Sequence, residues 1–337
     1  MLWPERPDNW RARAVPAQRA FAAVAAAIAR FEAVTVGVSS RQYARARELL
    51  PPRVRLAELS SDDAWMRDVG PSFVVNAAGE LRGVDWEFNA WGGLYRPFAL
   101  DDAVAQKVLE LERAPRYRAP FVNEGGAIHV DGQGTVLVTE QCLLNPNRNP
   151  KLTRRQIETL LRRYLGVSCV IWLGEGVVAD ETSGHIDNLA CFARPGEVCL
   201  TWCADTRDPQ HRVSQDAFER LMAARDARGR RLTVHKLPAP GPLFMTRREA
   251  GGIARRRGIR HLVAGQRLAG SYVNFYLANG ALILPLLDER TDASARRALR
   301  GIFPRRRIVG IPAREILLGG GNIHCITQQQ PVRRARP

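Results

Sequence analysis

Apolar residues recur along the chain with two spacings, one typical of amphipathic helices and the other of short β-strands. The helical spacing predicts helices at Pro16–Phe31, Asp101–Glu112, Ser214–Arg225 and Asp292–Ile302. Short apolar runs between and beside them predict strands at Val34–Val38, Ser72–Val75, Thr135–Thr139, Val198–Trp202, Leu232–Lys236, Ala281–Leu284 and Ile308–Ile311. Helices and strands that alternate in this way indicate an α/β fold.

One further helix carries its own start and stop signals. Thr153 and Gln156 have the spacing of a capping box, and Ile157 begins a set of apolar positions that recur at helical intervals. Gly166 is suited to end this helix before a strand at Val167–Trp172.

The chain has 337 residues, of which 45% are hydrophobic, so it has enough apolar material for a substantial core. No stretch rich in Ser, Gly or Pro divides it, and a single domain over residues 1–337 is predicted, with a basic tail at 332–337. No apolar run approaches the roughly 20 residues of a membrane-spanning helix, and no secretory leader is recognisable. We therefore expect a cytoplasmic protein with no membrane partner.

The composition is strongly basic, with a formal net charge of +16 at pH 7. Of the 50 basic residues only three are lysines, and the other 47 are arginines spread from Arg6 to Arg336. A nucleic-acid surface more often concentrates charge along one element, so biased codon usage is the favoured explanation and no nucleic-acid partner is predicted. Such a charge repels a cationic small molecule at long range. A site for one must therefore be acidic locally.

The six cysteines form no Cys-x-x-Cys pair, which argues against a zinc site, and free thiols are the default expectation. Cys325 stands apart because it follows Gly319–Gly321, where the backbone can approach another group closely. We interpret Cys325 as a candidate nucleophile, with an ordinary buried cysteine at a strand end as the alternative. His324 is adjacent, but successive side chains of an extended chain point to opposite faces, so it is interpreted as structural.

A thiol needs a base or a cationic neighbour to become a thiolate near neutral pH. His185 is the better candidate for this role, because in an extended segment His185 and Asp187 would lie on one face. An imidazole would then stand beside a carboxylate. A hydrogen-bonded structural pair is the alternative for this His-x-Asp spacing.

Two further segments offer carboxylates beside aromatic or glycine residues. Trp65 and Asp68 could present a flat apolar face and a carboxylate to a planar cation, or form a turn with a buried tryptophan and a capping aspartate. Glu124, before two glycines, could place another carboxylate at a close backbone approach, or be an ordinary turn residue. One thiol, one histidine and several carboxylates suit covalent attack on a guanidinium carbon, because guanidinium binds carboxylates through paired hydrogen bonds.

A weak internal repeat links two glycine turns. Gly125–Val130 and Gly320–Cys325 both contain paired glycines, followed by Ile and His at the same offsets, and both are predicted to enter a strand. This similarity hints at a pseudo-symmetric architecture of repeated α/β units.

Seven collinear motifs that span nearly the whole chain resemble the family shared by agmatine deiminases and bacterial peptidylarginine deiminases. They are Trp3–Arg11, Trp65–Asp68, Asn123–Gly126, Asn145–Pro150, Glu181–Asn188, Ser271–Tyr276 and Gly319–Pro331. The resemblance implies the guanidine-modifying fold, a five-fold pseudo-symmetric propeller of α/β units around a central site. Family members normally have a further stretch before the first motif, so the first strand is expected to be incomplete.

The resemblance also implies roles for individual residues. Cys325 would be the nucleophile, His185 the general acid and base, and Asp68 and Asp187 the carboxylates that bind guanidinium. The substrate-binding set would be completed by Trp65, Glu124, Glu181 and Asn274. In the implied reaction the thiolate attacks the guanidinium carbon, and the histidine protonates departing ammonia and then activates water to hydrolyse the thiouronium adduct. No metal and no organic cofactor is expected.

The leading hypothesis is hydrolysis of agmatine, a small cationic guanidino compound, to N-carbamoylputrescine and ammonia in putrescine biosynthesis. Deimination of peptidyl arginine or of another guanidino compound is the alternative, and a buried acidic Glu181 would favour the primary amine of agmatine. A homo-oligomer is among the expected states. A catalytically silent scaffold or nucleic-acid binder is the third hypothesis, and the intact reactive set argues against it.

Overall fold

The computed structural model describes residues 1–256, 259 and 261–332, which form a mixed α/β structure. Its strands are Thr35–Val38 (β1), Arg55–Glu58 (β2), Ser72–Val75 (β3), Leu81–Glu87 (β4), Arg116–Val122 (β5), His129–Val130 (β6), Thr135–Thr139 (β7), Cys169–Leu173 (β8), Ala190–Arg194 (β9), Glu197–Trp202 (β10), Thr233–Pro238 (β11), Leu243–Phe244 (β12), Arg267–Leu268 (β13), Tyr276–Ala278 (β14), Ala281–Leu286 (β15) and Arg307–Pro312 (β16). Its α-helices are Val15–Ile28 (α1), Tyr43–Leu49 (α2), Met66–Val69 (α3), Ala90–Gly93 (α4), Ala99–Asp102 (α5), Val104–Leu111 (α6), Glu140–Leu143 (α7), Arg154–Leu165 (α8), Ile186–Leu189 (α9), Pro209–Ala223 (α10), Arg247–Ala250 (α11), Glu289–Ile302 (α12) and Arg314–Leu317 (α13).

Four three-stranded sheets in the described part of the chain share one topology. In each, the middle strand runs antiparallel to the strand before it and parallel to the strand after it. These sheets are β3–β4–β5, β6–β7–β8, β9–β10–β11 and β14–β15–β16. β1 pairs in parallel with β2, and Leu2 adds a parallel bridge to Gly37 of β1. The predicted α/β class is therefore confirmed, and much of the chain repeats one three-stranded unit.

The predicted helix α8 is confirmed together with both of its end signals. The Thr153 side chain accepts the Gln156 backbone N–H, and the Gln156 side chain accepts the Thr153 backbone N–H. Ile157 and Leu161 are buried beneath the helix. Gly166 ends it with a φ of 68°, a left-handed conformation that glycine adopts without steric cost.

Other predicted elements agree with the structure to within a few residues. The strands at Ser72–Val75 and Thr135–Thr139 have the predicted bounds, and the N-terminal helix ends at Ile28 rather than at Phe31. The helix predicted at Asp101–Glu112 is in fact two helices, α5 and α6, which Ala103 separates.

The largest hydrophobic cluster joins the N-terminal part of the chain to the C-terminal part. It contains Trp10 and Phe21 from the first part together with Ile316 and Ile326 from the last. α1 packs against α13 and β16. The segment before α1 is therefore held close to the turn that carries Cys325.

Each three-stranded sheet is preceded by a short segment that carries a predicted site residue. α3, with Asp68, comes before β3, and a 3₁₀ turn at Gly125–Ala127 follows Glu124 and comes before β6. α9, with Asp187, comes before β9, and Asn274 lies just before β14. The repeated topology thus presents site residues from equivalent positions of successive units.

The second of the two glycine turns departs from the prediction. Gly125–Ala127 leads into strand β6 as predicted, but Ile323–Ile326, after the later glycines, form a turn and no strand. The Thr327 hydroxyl donates to the Ile323 carbonyl at 2.9 Å, which closes this turn.

Two further expectations concern membrane association and the basic end of the chain. Within them, no helix combines the length and apolar character that crossing a bilayer requires. Residues 333–337 of the predicted basic tail lie outside the described residues.

Candidate active site

One cavity brings together five of the eight predicted site residues. Its wall includes Trp65, Asp68, Glu181, His185 and Cys325. Arg6, Asn9, Asp63, Trp91 and Tyr95 also line it. The three remaining predicted residues, Glu124, Asp187 and Asn274, are buried and contact residues of this wall.

The Cys325 thiol is buried among polar atoms. Asn274 Nδ2 donates to Cys325 Sγ over 3.2 Å, and Asp187 Oδ2 lies 3.6 Å from the same sulfur. Asn274 Oδ1 also accepts the backbone N–H groups of His324 and Cys325, at 2.9 and 3.3 Å. Asn274 therefore contacts the turn that carries the thiol.

The glycines before Cys325 permit a close approach of the backbone to two tryptophans. A Cβ at Gly321 would lie 2.5 Å from the Trp65 ring, and a Cβ at Gly319 would lie 2.4 Å from the Trp10 ring. The two rings pack with centroids 5.2 Å apart. Any larger residue at these positions would displace one wall of the cavity.

Burial raises the pKa of the Cys325 thiol well above its usual range, and the charges of Asp187 and Asp68 raise it further. Near neutral pH, and with no cation beside it, the residue is therefore a neutral thiol. A guanidinium held by both carboxylates would offset their charge and make the thiolate easier to form.

His185 lies between the carboxylates of Asp68 and Glu124. The sequence predicts Asp187 as its partner instead. His185 Nδ1 is 3.8 Å from Asp68 Oδ1, and its Nε2 is 3.5 Å from Glu124 Oε2. Burial alone would lower the pKa of His185, but Asp68, Cys142 and Glu124 together raise it well above the usual value. The imidazole is therefore protonated near neutral pH and can donate a proton.

The prediction that Asp187 lies beside His185 on an extended segment is wrong in its geometry. The chain turns into helix α9 directly after His185, so the period of two does not apply. Asp187 Oδ2 instead accepts a hydrogen bond from His324 Nδ1 at 2.7 Å. Burial would raise the pKa of Asp187, but this bond and the neighbouring His185 and Arg67 hold it below its usual range.

Asp68 is fixed by hydrogen bonds to both of its oxygens. Oδ1 accepts the Gly126 backbone N–H at 2.9 Å, and Oδ2 accepts Trp91 Nε1 at 3.0 Å. Burial raises the pKa of Asp68 to about 6, although the neighbouring His185 opposes the shift. The carboxylate is therefore mostly ionised at pH 7 and is oriented before a ligand binds.

Glu124 is paired with a buried arginine. Arg148 Nε donates to Glu124 Oε1 at 2.7 Å, and Arg148 Nη2 donates to the Thr182 carbonyl at 2.7 Å. Burial would raise the pKa of Glu124, but Arg148 and His185 lower it overall. Glu124 is thus an anion that stabilises the protonated form of His185.

Glu124, Cys142 and His185 could each offer one atom to a metal ion, and these atoms lie within 4.8 Å of one another. The set is poorly suited to that use. Arg148 already neutralises Glu124, and a protonated His185 has no free lone pair for a metal.

Glu181 is less enclosed than predicted. Its side chain is half-buried at the cavity wall, where Gln266 Nε2 lies 3.5 Å from its Oε1. The expectation of a buried acidic group at this position is therefore met only in part. A partly exposed carboxylate can still meet the cationic end of an extended ligand.

Several residues of the site were not singled out from the sequence. Arg6 and Arg148 occur within two of the motifs, where an arginine among proline and polar residues is the available signal. Trp91 precedes paired glycines, as Glu124 does. The interpretation of His324 as structural depends on an extended backbone around Cys325, where the structure has a turn.

Comparisons with known proteins show the family of this chain. The chain belongs to the Porphyromonas-type peptidyl-arginine deiminase family, whose model matches residues 1–331. An agmatine deiminase from Ectopseudomonas mendocina is 55% identical, over 98% of this chain and 92% of its own length. An agmatine deiminase from Pseudomonas aeruginosa is 56% identical, over 99% of this chain and 92% of its own length. The solved structure of the Enterococcus faecalis agmatine deiminase matches with a TM-score of 0.96 and 47% identity, over 99% of this chain and 93% of that one.

Proposed function

We propose that this chain is a hydrolase that converts agmatine and water to N-carbamoylputrescine and ammonia through a covalent adduct on Cys325. The observation that carries the proposal is the single cavity in which a thiol, an imidazole and a carboxylate meet. The agmatine deiminases among its relatives, at 55–56% identity, support the choice of substrate. The activity would place the enzyme in putrescine biosynthesis.

In this proposal Asp68 and Asp187 bind the guanidinium, and Trp65 packs against its flat face. Asp187 Oδ1 is buried and has no hydrogen-bond partner among the described residues, so it is available as an acceptor. Glu181 meets the primary amine at the other end of agmatine. Binding of the cation between Asp68 and Asp187 offsets the charges that raise the pKa of Cys325, which favours the thiolate.

The chemical steps follow from the protonation states. The Cys325 thiol loses its proton to solvent when the cation binds, and its Sγ then bonds to the central guanidinium carbon. His185 protonates one nitrogen of this adduct, and the bond from carbon to that nitrogen breaks to release ammonia. His185, now neutral, removes a proton from a water molecule that attacks the same carbon. In the second adduct the new hydroxyl gives its proton to solvent as the C–S bond breaks, which releases the urea product and regenerates the Cys325 thiolate.

The fixed carboxylates contribute to the rate mainly through orientation. Because Trp91 and Gly126 already hold Asp68, its side chain loses little conformational freedom when guanidinium binds. Glu124 keeps His185 protonated for the first step, and Arg148 keeps Glu124 ionised. Electrostatic support of this kind needs no rearrangement during the reaction.

The proposal extends to the architecture and setting of the enzyme. The repeated strand topology supports an arrangement of five units around the cavity, within one catalytic domain over residues 1–337. A cytoplasmic location and the absence of a nucleic-acid partner remain predictions.

The proposed substrate is tested by measuring ammonia release from agmatine and from a blocked arginine peptide. We expect kcat/KM for agmatine to exceed that for the peptide by about a hundredfold, because the amide and carbonyl of the peptide would lie where the amine meets Glu181. Faster turnover of the peptide would overturn the choice of agmatine.

The nucleophile is tested with Cys325→Ser. This variant should release no ammonia from either compound and should keep the circular dichroism spectrum and thermal midpoint of the wild type. Cys199→Ser is the matched control, since Cys199 is also buried but lies in strand β10 and does not line the cavity. Retained activity in Cys325→Ser would show that the nucleophile is misassigned.

A further inference from the structure

His324 stands next to Cys325 in the sequence but faces a different part of the structure. It lines a second cavity, together with His129, Asp187 and Gln329, and it is not part of the wall of the substrate cavity. Any effect of His324 on a bound guanidinium must therefore pass through another residue.

That residue is Asp187, which is itself outside that wall but contacts both the His324 imidazole and the Cys325 thiol that lines it. His324 Nδ1 donates to Asp187 Oδ2 at 2.7 Å, and the same oxygen lies 3.6 Å from Cys325 Sγ. The other oxygen, Oδ1, has no hydrogen-bond partner among the described residues. One oxygen of the carboxylate is thus held by His324, and the other is a buried acceptor that no described residue uses.

We propose that His324 is a positioning residue, which holds Asp187 ionised and oriented for the guanidinium. This inference rests on the proposed function, in which Asp187 binds that group.

The backbone of His324 is fixed on both sides. Its N–H donates to Asn274 Oδ1 at 2.9 Å, and its carbonyl accepts Arg67 Nε at 3.4 Å. Arg67 Nη2 in turn donates to Gln329 Oε1 at 2.7 Å. The imidazole is therefore presented to Asp187 by a rigid turn rather than by a freely rotating segment.

The charges around the pair favour a neutral imidazole as the donor. The charged and titratable groups that face His324 or Asp187 are Arg67, Asp68, His129, His185 and Cys325. Burial lowers the pKa of His324, and Arg67 lowers it further. A neutral donor stabilises the carboxylate without cancelling its charge, so Asp187 keeps a net negative charge that attracts a cation.

The test compares two variants of His324 that differ in whether they keep a donor. His324→Asn places an amide N–H close to the position of Nδ1, whereas His324→Leu has similar bulk and no donor. We expect His324→Leu to lower kcat/KM by about tenfold or more, which corresponds to about 1.4 kcal/mol, the order of one hydrogen bond to a charged group. His324→Asn should stay within about threefold of the wild type.

The pH dependence separates positioning from simple packing. Without its donor, Asp187 has a higher pKa and is protonated to a greater extent at pH 6 than at pH 8. The loss in His324→Leu, relative to the wild type at the same pH, should therefore be larger at pH 6. Equal losses in both variants, or a loss that is the same at both pH values, would overturn the proposal.

Two measurements distinguish a loss of positioning from misfolding of a variant and from a wrong choice of substrate. Thermal unfolding is followed for both variants, and His324→Ala replaces the leucine variant if that one does not fold. If the wild type acts on the arginine peptide and not on agmatine, the proposed substrate is wrong, and the same comparison on the peptide decides the role of His324. A wild type that releases ammonia from neither compound overturns both proposals.

Discussion

At the residue scale, the spacing between Asp68 and His185 depends on Gly126. Its backbone N–H donates to Asp68 Oδ1, and a Cβ at this position would lie 2.7 Å from that oxygen and 2.5 Å from His185 Nδ1. Both distances are shorter than any real contact of a Cβ. The absence of a side chain at Gly126 is therefore what lets the carboxylate and the imidazole share one wall.

Gly126→Ala should consequently lower the catalytic activity more than the stability of the fold. We expect kcat/KM for agmatine to fall by about a hundredfold or more, because a displacement of about 1 Å in catalytic groups has effects of that size. Steady-state kinetics and thermal unfolding on the same preparation measure the two effects.

Gly301→Ala is the matched control for this substitution. Gly301 lies in helix α12, and a Cβ there would meet nothing within 4 Å. Activity should be unchanged, and the free energy of unfolding should stay the same or rise by up to about 1 kcal/mol. Equal activity in both variants would contradict the role assigned to Gly126.

The sequence was sufficient to select the residues proposed for the chemistry but not their partners. Cys325, His185 and Asp68 belong to motifs in which glycine or aromatic residues accompany a reactive side chain, and the structure brings these three to one cavity. The ion pair of Arg148 with Glu124 could not be predicted, because it depends on burial of both groups by distant parts of the chain.

At the scale of the element, helix α8 shows how local signals set the ends of a helix. Thr153 and Gln156 satisfy each other's backbone N–H groups at its start, and Gly166 ends it. These signals are local in sequence, and for that reason the helix was predicted closely.

Thr153→Ala should destabilise the protein without affecting turnover. Loss of the N-cap leaves a backbone N–H without its acceptor, which costs about 1 kcal/mol in the free energy of unfolding. Denaturant unfolding measures this cost. Thr159→Ala, at an exposed position inside the same helix, is the control and should not destabilise the protein, and equal losses in the two variants would argue against the capping role.

The elements that were mispredicted are the short ones around the site. The segment after His185 reads as extended from its alternation, yet it forms helix α9, and Asp180 Oδ2 accepts the His185 backbone N–H at 3.1 Å just before it. The turn at Ile323–Ile326 is likewise held by Asn274. In both places, hydrogen bonds from side chains elsewhere in the chain or loop determine the backbone conformation. Hydrophobic periodicity does not reveal these hydrogen bonds.

At the scale of the whole molecule, the net charge of +16 is distributed rather than concentrated. Many arginines are paired with carboxylates, as in Arg118 with Asp85 and Arg314 with Glu249. A local group of arginines lines a shallow pocket at the end of helix α12 and the start of strand β16: Arg296, Arg300, Arg306 and Arg307. This group is where a polyanion would be expected to bind if the charge served that purpose.

We predict that binding to duplex DNA is no tighter than ordinary non-specific association. At 150 mM NaCl the dissociation constant for a 20-base-pair duplex should be about 1 μM or weaker, as fluorescence anisotropy would show. Arg300→Gln combined with Arg307→Gln is the control for the local group. Nanomolar binding that this double variant abolishes would revive the nucleic-acid hypothesis.

The cavity draws on residues from Arg6 to Cys325, and the proposed nucleophile comes last among them in chain order. During translation, a ribosome-tethered polypeptide therefore holds the imidazole and the aspartates of the site well before Cys325 is synthesised. The proposed activity can begin only after 325 of the 337 residues have been joined.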